Sequence, residues 1–250
     1  MRVDIGEFLK GIKHIQMKGR WGSKNSTVSD DVTCYPNGDN VYFVSANRAN
    51  SVCCAYQIPS VTTPPEEAFS FNVAESISMI KAFSGIVNLS YSNGILQITD
   101  DNNNCSIPLL ANHESSAVID KFAPPLIQWI EDGFEEEFGY GSVGKYDHAL
   151  TVGIPALTNA LKACDTTGYS NYTFKCEDNS LEVSSSIRNK SMNRRLETES
   201  QGNAATVVIS SPVATLFQND ETIEMRVHDD SPLFARSNSA AILVAPHIER

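Results

Sequence analysis

The sequence predicts an α+β protein built from two similar domains, each with antiparallel sheets outside and two helices packed on one face. Three observations predict it. The chain repeats itself, strand-like and helix-like segments follow in the same order in each repeat, and one long stretch interrupts the pattern. At an offset of 149 residues, "VDIGEFLKGIK" lies on "VGIPALTNALK". Val3 then meets Val152, Ile5 meets Ile154, Phe8 meets Leu157, Ile12 meets Leu161 and Lys13 meets Lys162. At an offset of 136, Phe71 meets Val207, Val73 meets Ile209, Ile77 meets Val213 and Ile80 meets Leu216. The same offset matches Val87 with Ile223, Leu89 with Met225, Tyr91 with Val227 and Ile107 with Leu243. Strand alternation and helix phase are kept together, which marks a repeated unit.

Taken in order, residues 2–5 alternate as a short strand. Phe8, Leu9, Ile12 and Ile15 then fall at helical spacing, with Lys10, Lys13 and Lys18 interleaved. Residues 19–30, rich in Gly, Ser and Asn, read as a loop. "TVSDDVTCY", "NVYFVSA" and "SVCCAYQI" are strands, the first two joined by "PNGD", whose Asn-Gly readily takes positive φ. "AFSFNV" is a strand and "AESISMIKAF" a short helix. "GIVNLSY", "GILQIT" and "NCSIPLL" are strands divided by Asn93-Gly94 and "DDNNN". Residues 111–147 carry two prolines, an acidic run and a Gly-rich end. They read as a connector with one short helix after Pro125. The expected division is therefore 1–110, connector 111–147 and 148–250. The second copy opens with the strand "HALTV" and the helix "IPALTNALKAC", whose Pro155 suits a first turn. "NYTFKCE", "SLEVSSSI", "NRRLETES" and "ATVVIS" are strands. "SPVATLF" is a helix capped by Ser210 or Ser211, and "TIEMRVH", "PLFARS" and "AAILVA" close the chain.

A net charge of −11 excludes a generally basic nucleic-acid binder, so DNA would have to meet a local basic surface. No run approaches the ~18–20 apolar residues of a membrane span. The N-terminus lacks the apolar core of a signal peptide, and an intracellular protein is expected. The six cysteines form no C-x-x-C pair and sit in apolar runs, as buried free thiols do. No zinc spacing occurs, and no metal or cofactor is expected. His14, His113, His148, His228 and His247 are scattered, and no nucleophile-elbow, phosphate-loop or zincin motif is present. The pairs Asp30-Asp31, Asp100-Asp101 and Asp229-Asp230 could hold Mg²⁺ in a nuclease. They sit where turns favour Asp for backbone reasons.

Three stretches resemble DNA sliding clamps of the proliferating cell nuclear antigen type. They are "VDIGEFLKGIKHI" at the opening, "VYFVSANRANSVCCAYQI" within the first repeat, and the closing "SPLFARSNSAAILVAPHIE". The resemblance implies the DNA-clamp fold, with helices lining a hole and sheets outside. It implies a non-catalytic processivity factor that encircles duplex DNA without reading its sequence and tethers a polymerase and other replication or repair enzymes. A clamp-loader ATPase would open it. The two-domain length favours a homotrimer, found with the DNA: in the nucleus of a eukaryote, otherwise in the cytoplasm or nucleoid. A subunit of a heteromeric checkpoint- or repair-type clamp is the alternative, and a metal-dependent nuclease a second.

Carried over by position, DNA contacts would come from Lys10, Lys13, Lys18 and Arg20 on the first helix, Lys81 on the second and Lys162 on the third. The hairpin "IRNKSMNRR" adds Arg188 and Lys190, with Arg194 and Arg195 beyond. "SPVATLF" departs from the family by supplying no basic residue. Ring closure would pair the strand at 104–110 with a neighbour's strand at 180–187. A partner's hydrophobic plug would meet Ala46, Ile127, Trp129, Ile130, Pro232, Leu233, Ala245 and Pro246. The connector aromatics Trp129, Phe134 and Phe138 either face such a partner or pack on their own domain. "QWIEDGF" is faintly like the family's docking peptides, with Glu131 where they carry an aliphatic residue.

Overall fold

A computed structural model describes residues 1–17, 30–47, 49, 51–59, 61–111, 116–168, 171–210 and 213–247. The chain forms two compact units, one of Met1–Met17 with Thr27–Ile127, the other containing Gln128–Arg250. In the first unit, strand β1 (Arg2–Asp4) runs directly into helix α1 (Ile5–Ile15). Asp4 makes that junction. Its carboxylate accepts from Gly6 N at 2.9 Å and Glu7 N at 3.1 Å, satisfying two of the donors a helix start leaves open. Phe8, Ile12 and Ile15 form the buried stripe of α1. Gly11 lets the helix approach the core closely: a Cβ there would stand 2.9 Å from the Phe43 ring.

Strands β2 (Asp31–Asn37), β3 (Asn40–Ala46), β4 (Val52–Gln57) and β5 (Phe69–Asn72) follow. Then come helix α2 (Val73–Ile80) and strands β6 (Ile86–Ser92), β7 (Ile95–Thr99) and β8 (Asn104–Pro108). Asn72 caps α2 by accepting from Glu75 N at 3.1 Å. Within this unit the antiparallel ladders run β5-β2-β3-β4 and β1-β6-β7-β8. Helix α1 packs on β3 and β4 beside α2. Phe8, Phe43 and Phe71 meet in the core, Phe8 lying 4.9 Å from Phe43.

Helix α3 (Ser116–Asp132) differs from the short helix expected after Pro125, because it runs through both Pro124 and Pro125. Each proline removes a helix hydrogen bond and crowds the preceding turn, at ~3 kcal/mol. Ile119, Ala123, Leu126, Ile127 and Ile130 nevertheless continue one buried stripe across them. Burial at ~1.5–3 kcal/mol for each large apolar side chain offsets the interruption.

The second unit contains β9 (His148–Gly153), α4 (Ile154–Cys164), β10 (Tyr172–Glu177), β11 (Ser180–Ile187), β12 (Lys190–Glu197) and β13 (Glu199–Gly202). It continues with β14 (Ala205–Ile209), α5 (Val213–Leu216), β15 (Thr222–Val227), β16 (Leu233–Arg236) and β17 (Ala240–Val244). Its ladders run β12-β11-β10-β14 and β13-β9-β15-β16-β17. Pro155 lies in the first turn of α4, where its missing N–H costs nothing. The expected strand "NRRLETES" is divided, its second part becoming β13 on the edge of β9. The helix expected over "SPVATLF" spans only the four residues of α5. Of its two expected caps, Ser211 lies outside the described residues.

The strand registers repeat with the sequence. Val3 faces Val87 and Val152 faces Ile223, so both offsets hold across one ladder. Ile5 N donates to Gly85 O at 2.9 Å, and its counterpart Ile154 N donates to Glu221 O at 2.9 Å. One pairing read from the sequence shifts. Leu96 faces Ile107, whereas Leu233 faces Val244, so Ile107 corresponds to Val244 and Ser106 to Leu243. The loop 228–232 between β15 and β16 holds one residue more than the corresponding turn in the first unit.

The edges also correct one expectation. Strand β11 is paired on both sides, by β10 and β12, so residues 180–187 offer no free edge. Strand β12 ends that ladder, and β8 ends its own. Thr198 N donates to Asn179 O, so by antiparallel alternation Ser191, Asn193, Arg195 and Glu197 turn their backbone groups away from β11.

Candidate nucleic-acid and partner interfaces

Helices α1 and α4 present equivalent faces. On α1 the exposed positions include Lys10 and Lys13, with Glu7 3.6 Å from the Lys10 amine. Lys81 caps the C-terminus of α2 and is exposed. On α4 the exposed positions are Pro155, Ala156, Asn159 and Lys162. Helix α5 adds no charge. Lys10, Lys13 and Lys81 thus share the neighbouring helices of the first unit, while Lys162 stands alone on those of the second. Lys18 and Arg20 lie outside the described residues. Arg188 and Lys190 are exposed at the β11–β12 turn, Arg188 holding a positive φ of 52°. Arg194 and Arg195 continue along β12, and Arg195 donates to Ser180 Oγ at 2.9 Å.

The connector aromatics pack on their own unit. Trp129 meets Phe234 of β16 edge-on at 4.9 Å, Phe138 meets it at 5.1 Å, Tyr140 at 4.9 Å and Tyr146 at 5.4 Å. Phe234 is fully buried beneath them. Edge-to-face pairs add ~0.5–1.5 kcal/mol each beyond burial. Polar ties fasten this strap. Tyr146 OH donates to Pro232 O at 3.1 Å, and Arg236 Nη1 donates to Trp129 O at 3.2 Å. Arg236 also grips Glu224, Nη2 lying 2.5 Å from Oε1. His228 Nδ1 lies 2.5 Å from Asp147 Oδ2. Burial, with Tyr140 nearby, raises the Tyr146 phenol well above its ordinary range.

Among the residues read as a partner pocket, Trp129, Ile130 and Leu233 are buried in the second unit, and Pro232, Ala245 and Pro246 are half-exposed. Ala46 and Ile127 are buried and belong to the first unit. Sequence reasoning missed Phe234, Tyr146, Arg226 and Arg236. The sequence offset of 136 places Phe234 on the inward Ile98, and only the strand register matches it to the outward Gln97.

One carboxylate of each acidic pair accepts hydrogen bonds from the protein. Asp100 accepts from Asn102 N and Asn103 N, which hold its carboxyl below the ordinary carboxylate range. Asp229 accepts from Thr206 N at 2.6 Å, and Asp31 from Asn72 Nδ2 at 2.8 Å. Among the described residues no three His, Cys, Asp or Glu side chains converge as metal ligands. Cys34, Cys53, Cys54, Cys164 and Cys176 are buried free thiols and Cys105 is partly exposed. Burial pushes the Cys53 and Cys176 thiols up to about 12. No described helix is long and apolar enough to cross a membrane.

No protein-family model and no curated protein matches the sequence. Solved structures do match. The DNA polymerase III β subunit from Eubacterium rectale superposes with a TM-score of 0.73 at 13% identity, over 99% of this chain and 64% of that one. The PCNA2–PCNA3 complex of Sulfolobus tokodaii gives 0.69 at 14% identity, over 100% of both chains. A. fulgidus PCNA, solved with the C-terminal region of FEN-1, gives 0.68 at 14% identity, over 100% of this chain and 98% of that one. The chain spans about two thirds of the bacterial β subunits and the whole length of the archaeal clamps. Two α+β units with matching registers, and neighbours of this kind over the full chain, give the protein the DNA sliding-clamp fold.

Proposed function

We propose that this protein is a non-catalytic sliding clamp that encircles duplex DNA and tethers replication and repair enzymes. The observation that carries the reading is the repeated register with α1 and α4 in equivalent places, Lys13 and Lys162 exposed at matching positions. Phosphate contacts carry no sequence information, which suits a protein that must hold DNA and still slide. Lys10, Lys13, Lys18, Arg20, Lys81 and Lys162 supply those contacts, with Arg188 and Lys190 at one rim. Residues 1–110 and 148–250 are the two clamp domains, and 111–147 joins them. Three copies close a ring by pairing β8 of one with β12 of the next, which also removes two exposed sheet edges. A loader ATPase opens it around DNA inside the cell, and partner enzymes dock near Trp129, Pro232 and Pro246.

The test is solution mass by light scattering over a dilution series. A stable species at three times the 27.4 kDa chain is expected. A monomer at every concentration overturns the self-closing homotrimer. A second reading, one subunit of a heteromeric clamp, is supported by the uneven helix charge of the two units. A monomer that forms a ring only with a co-purified homologous chain would favour it.

A further inference from the structure

The two sheet edges at β8 and β12 differ in length and in chemistry. Along β8, Leu109 N donates to Gly94 O at 2.8 Å and Asp100 N donates to Asn103 O at 3.1 Å, so the odd-numbered residues bond towards β7. By antiparallel alternation Asn104, Ser106 and Pro108 turn their backbone groups to the open edge. That edge is short. Leu110 N donates to Ser70 O at 2.8 Å, which closes it at one end, and Pro108 has no N–H to offer. The β12 edge is longer, with Ser191, Asn193, Arg195 and Glu197 all turned away from β11.

The face each residue occupies is fixed as well. Asn104, Ser106 and Pro108 are exposed, whereas Ile107 between them is buried. On β12, Met192, Arg194 and Leu196 stand opposite Ser185, Val183 and Leu181, all buried, so Ser191, Asn193 and Arg195 point outward. On both edges the open backbone groups thus belong to residues with outward side chains. An antiparallel neighbour satisfies this, because residues that exchange hydrogen bonds lie directly opposite and share a face. A parallel neighbour would set outward residues of one sheet against inward residues of the other.

Two antiparallel registers keep Asn104, Ser106 and Pro108 all opposite β12. With Pro108 opposite Asn193, the missing donor strands a carbonyl inside the ladder, and Ile107 meets the charged Arg194. With Pro108 opposite Ser191, the stranded carbonyl falls at the last open residue before the turn at Arg188, where water reaches it, and Ile107 meets Met192. On the clamp reading above, we propose that Pro108 fixes the register of the ring seam. Pro108 of one copy lies opposite Ser191 of the next, Ser106 opposite Asn193 and Asn104 opposite Arg195. Cys105, the partly exposed cysteine among five buried ones, then lies opposite Arg194 of the next copy.

The test is a disulfide trap on the full chain. Opposite residues that do not exchange hydrogen bonds have Cα atoms about 4.5 Å apart, inside the window a disulfide spans. Diagonal neighbours, at about 7–8 Å, fall outside it. Arg194→Cys, treated with oxidised glutathione, is therefore expected to form covalent trimers through native Cys105, seen on a non-reducing gel. Leu196→Cys, opposite Cys105 in the other register, is expected to react at least about tenfold more slowly. Adding Cys105→Ser to Arg194→Cys is expected to abolish the product. Equal or faster trapping by Leu196→Cys overturns the proposal. If Arg194→Cys melts early, Ser106→Cys with Asn193→Cys tests the same register on the outward face, and absence of its product also overturns the proposal. Solution mass on the same samples separates this result from the clamp reading. A trimer that Arg194→Cys does not trap refutes the register alone, and a monomer without any cross-link refutes the ring and the seam with it.

Discussion

Gln97 and Phe234 hold the same place in their ladders, and their surroundings are opposite. Gln97 faces Ser106 and Ser90 on an outward sheet face that carries no charge across β6, β7 and β8. Ile86 and Ile95 on that face are 57% and 41% exposed. Phe234 faces Leu243 and Arg226 and lies beneath four aromatic rings. The backbone frame is common to both units, so the difference comes from side chains and from one connector. A repeated scaffold leaves its outward positions free to diverge, because only the inward positions fill the core.

The largest expected effect tests that contrast directly. Phe234→Ala should cost about 3–5 kcal/mol in urea unfolding, as large-to-small changes in packed sites do. Gln97→Ala should stay within about 0.5 kcal/mol. Equal losses would break the comparison. The helix faces give the next test. Lys10→Gln with Lys13→Gln should flatten the salt dependence of DNA binding by about two in log–log slope, and Lys162→Gln by about one, at roughly 0.9 per phosphate contact. Equal slopes would place the DNA contacts elsewhere.

Two tyrosines sharpen the picture further. Tyr146 OH ties the strap to Pro232 O, whereas Tyr91 OH accepts from the exposed Glu67 N at 2.8 Å. Tyr146→Phe should cost about 1 kcal/mol and Tyr91→Phe less than half of that, by thermal melts. The smallest effect concerns Asp165, whose repeat counterpart is the uncharged Gln16. Burial raises the Asp165 carboxyl above its ordinary value, against the lowering by the Tyr172 phenol that donates to it. A raised carboxyl contributes stability that is complete below the unfolded value of 3.8 and is lost as pH rises through the folded one. Asp165→Asn should therefore gain slightly on wild type as pH rises above 3.8. A gain on acidification instead would reverse the assigned cause.

Much of this was legible because apolar periodicity reports burial. Val3, Ile5, Phe8 and Ile12 are buried, and so are Val152, Ile154, Leu157 and Leu161. The two offsets therefore survive as matching registers. The helix through Pro124 and Pro125 was not legible, because proline's local penalty is visible in sequence and the burial that outweighs it is tertiary. The free edge at β12 was equally hidden, since a strand's alternation does not say how many neighbours it has. Of the candidate site, the lysines of α1 and α4 follow from helical phase. The strap over Phe234 joins positions about a hundred residues apart, and nothing local announces it.

The loop 228–232 is longer than its counterpart by one residue, and both of its ends serve the strap. His228 meets Asp147, and the Pro232 carbonyl receives Tyr146. That single residue separates the two hairpins. The first unit has a plain turn at Asn93-Gly94, and the second has a loop whose Pro232 carbonyl fastens the connector through Tyr146. An outward face can thus turn on one short hairpin loop, while the inward stripes of Val3, Ile5, Phe8 and Ile12 and of Val152, Ile154, Leu157 and Leu161 stay matched.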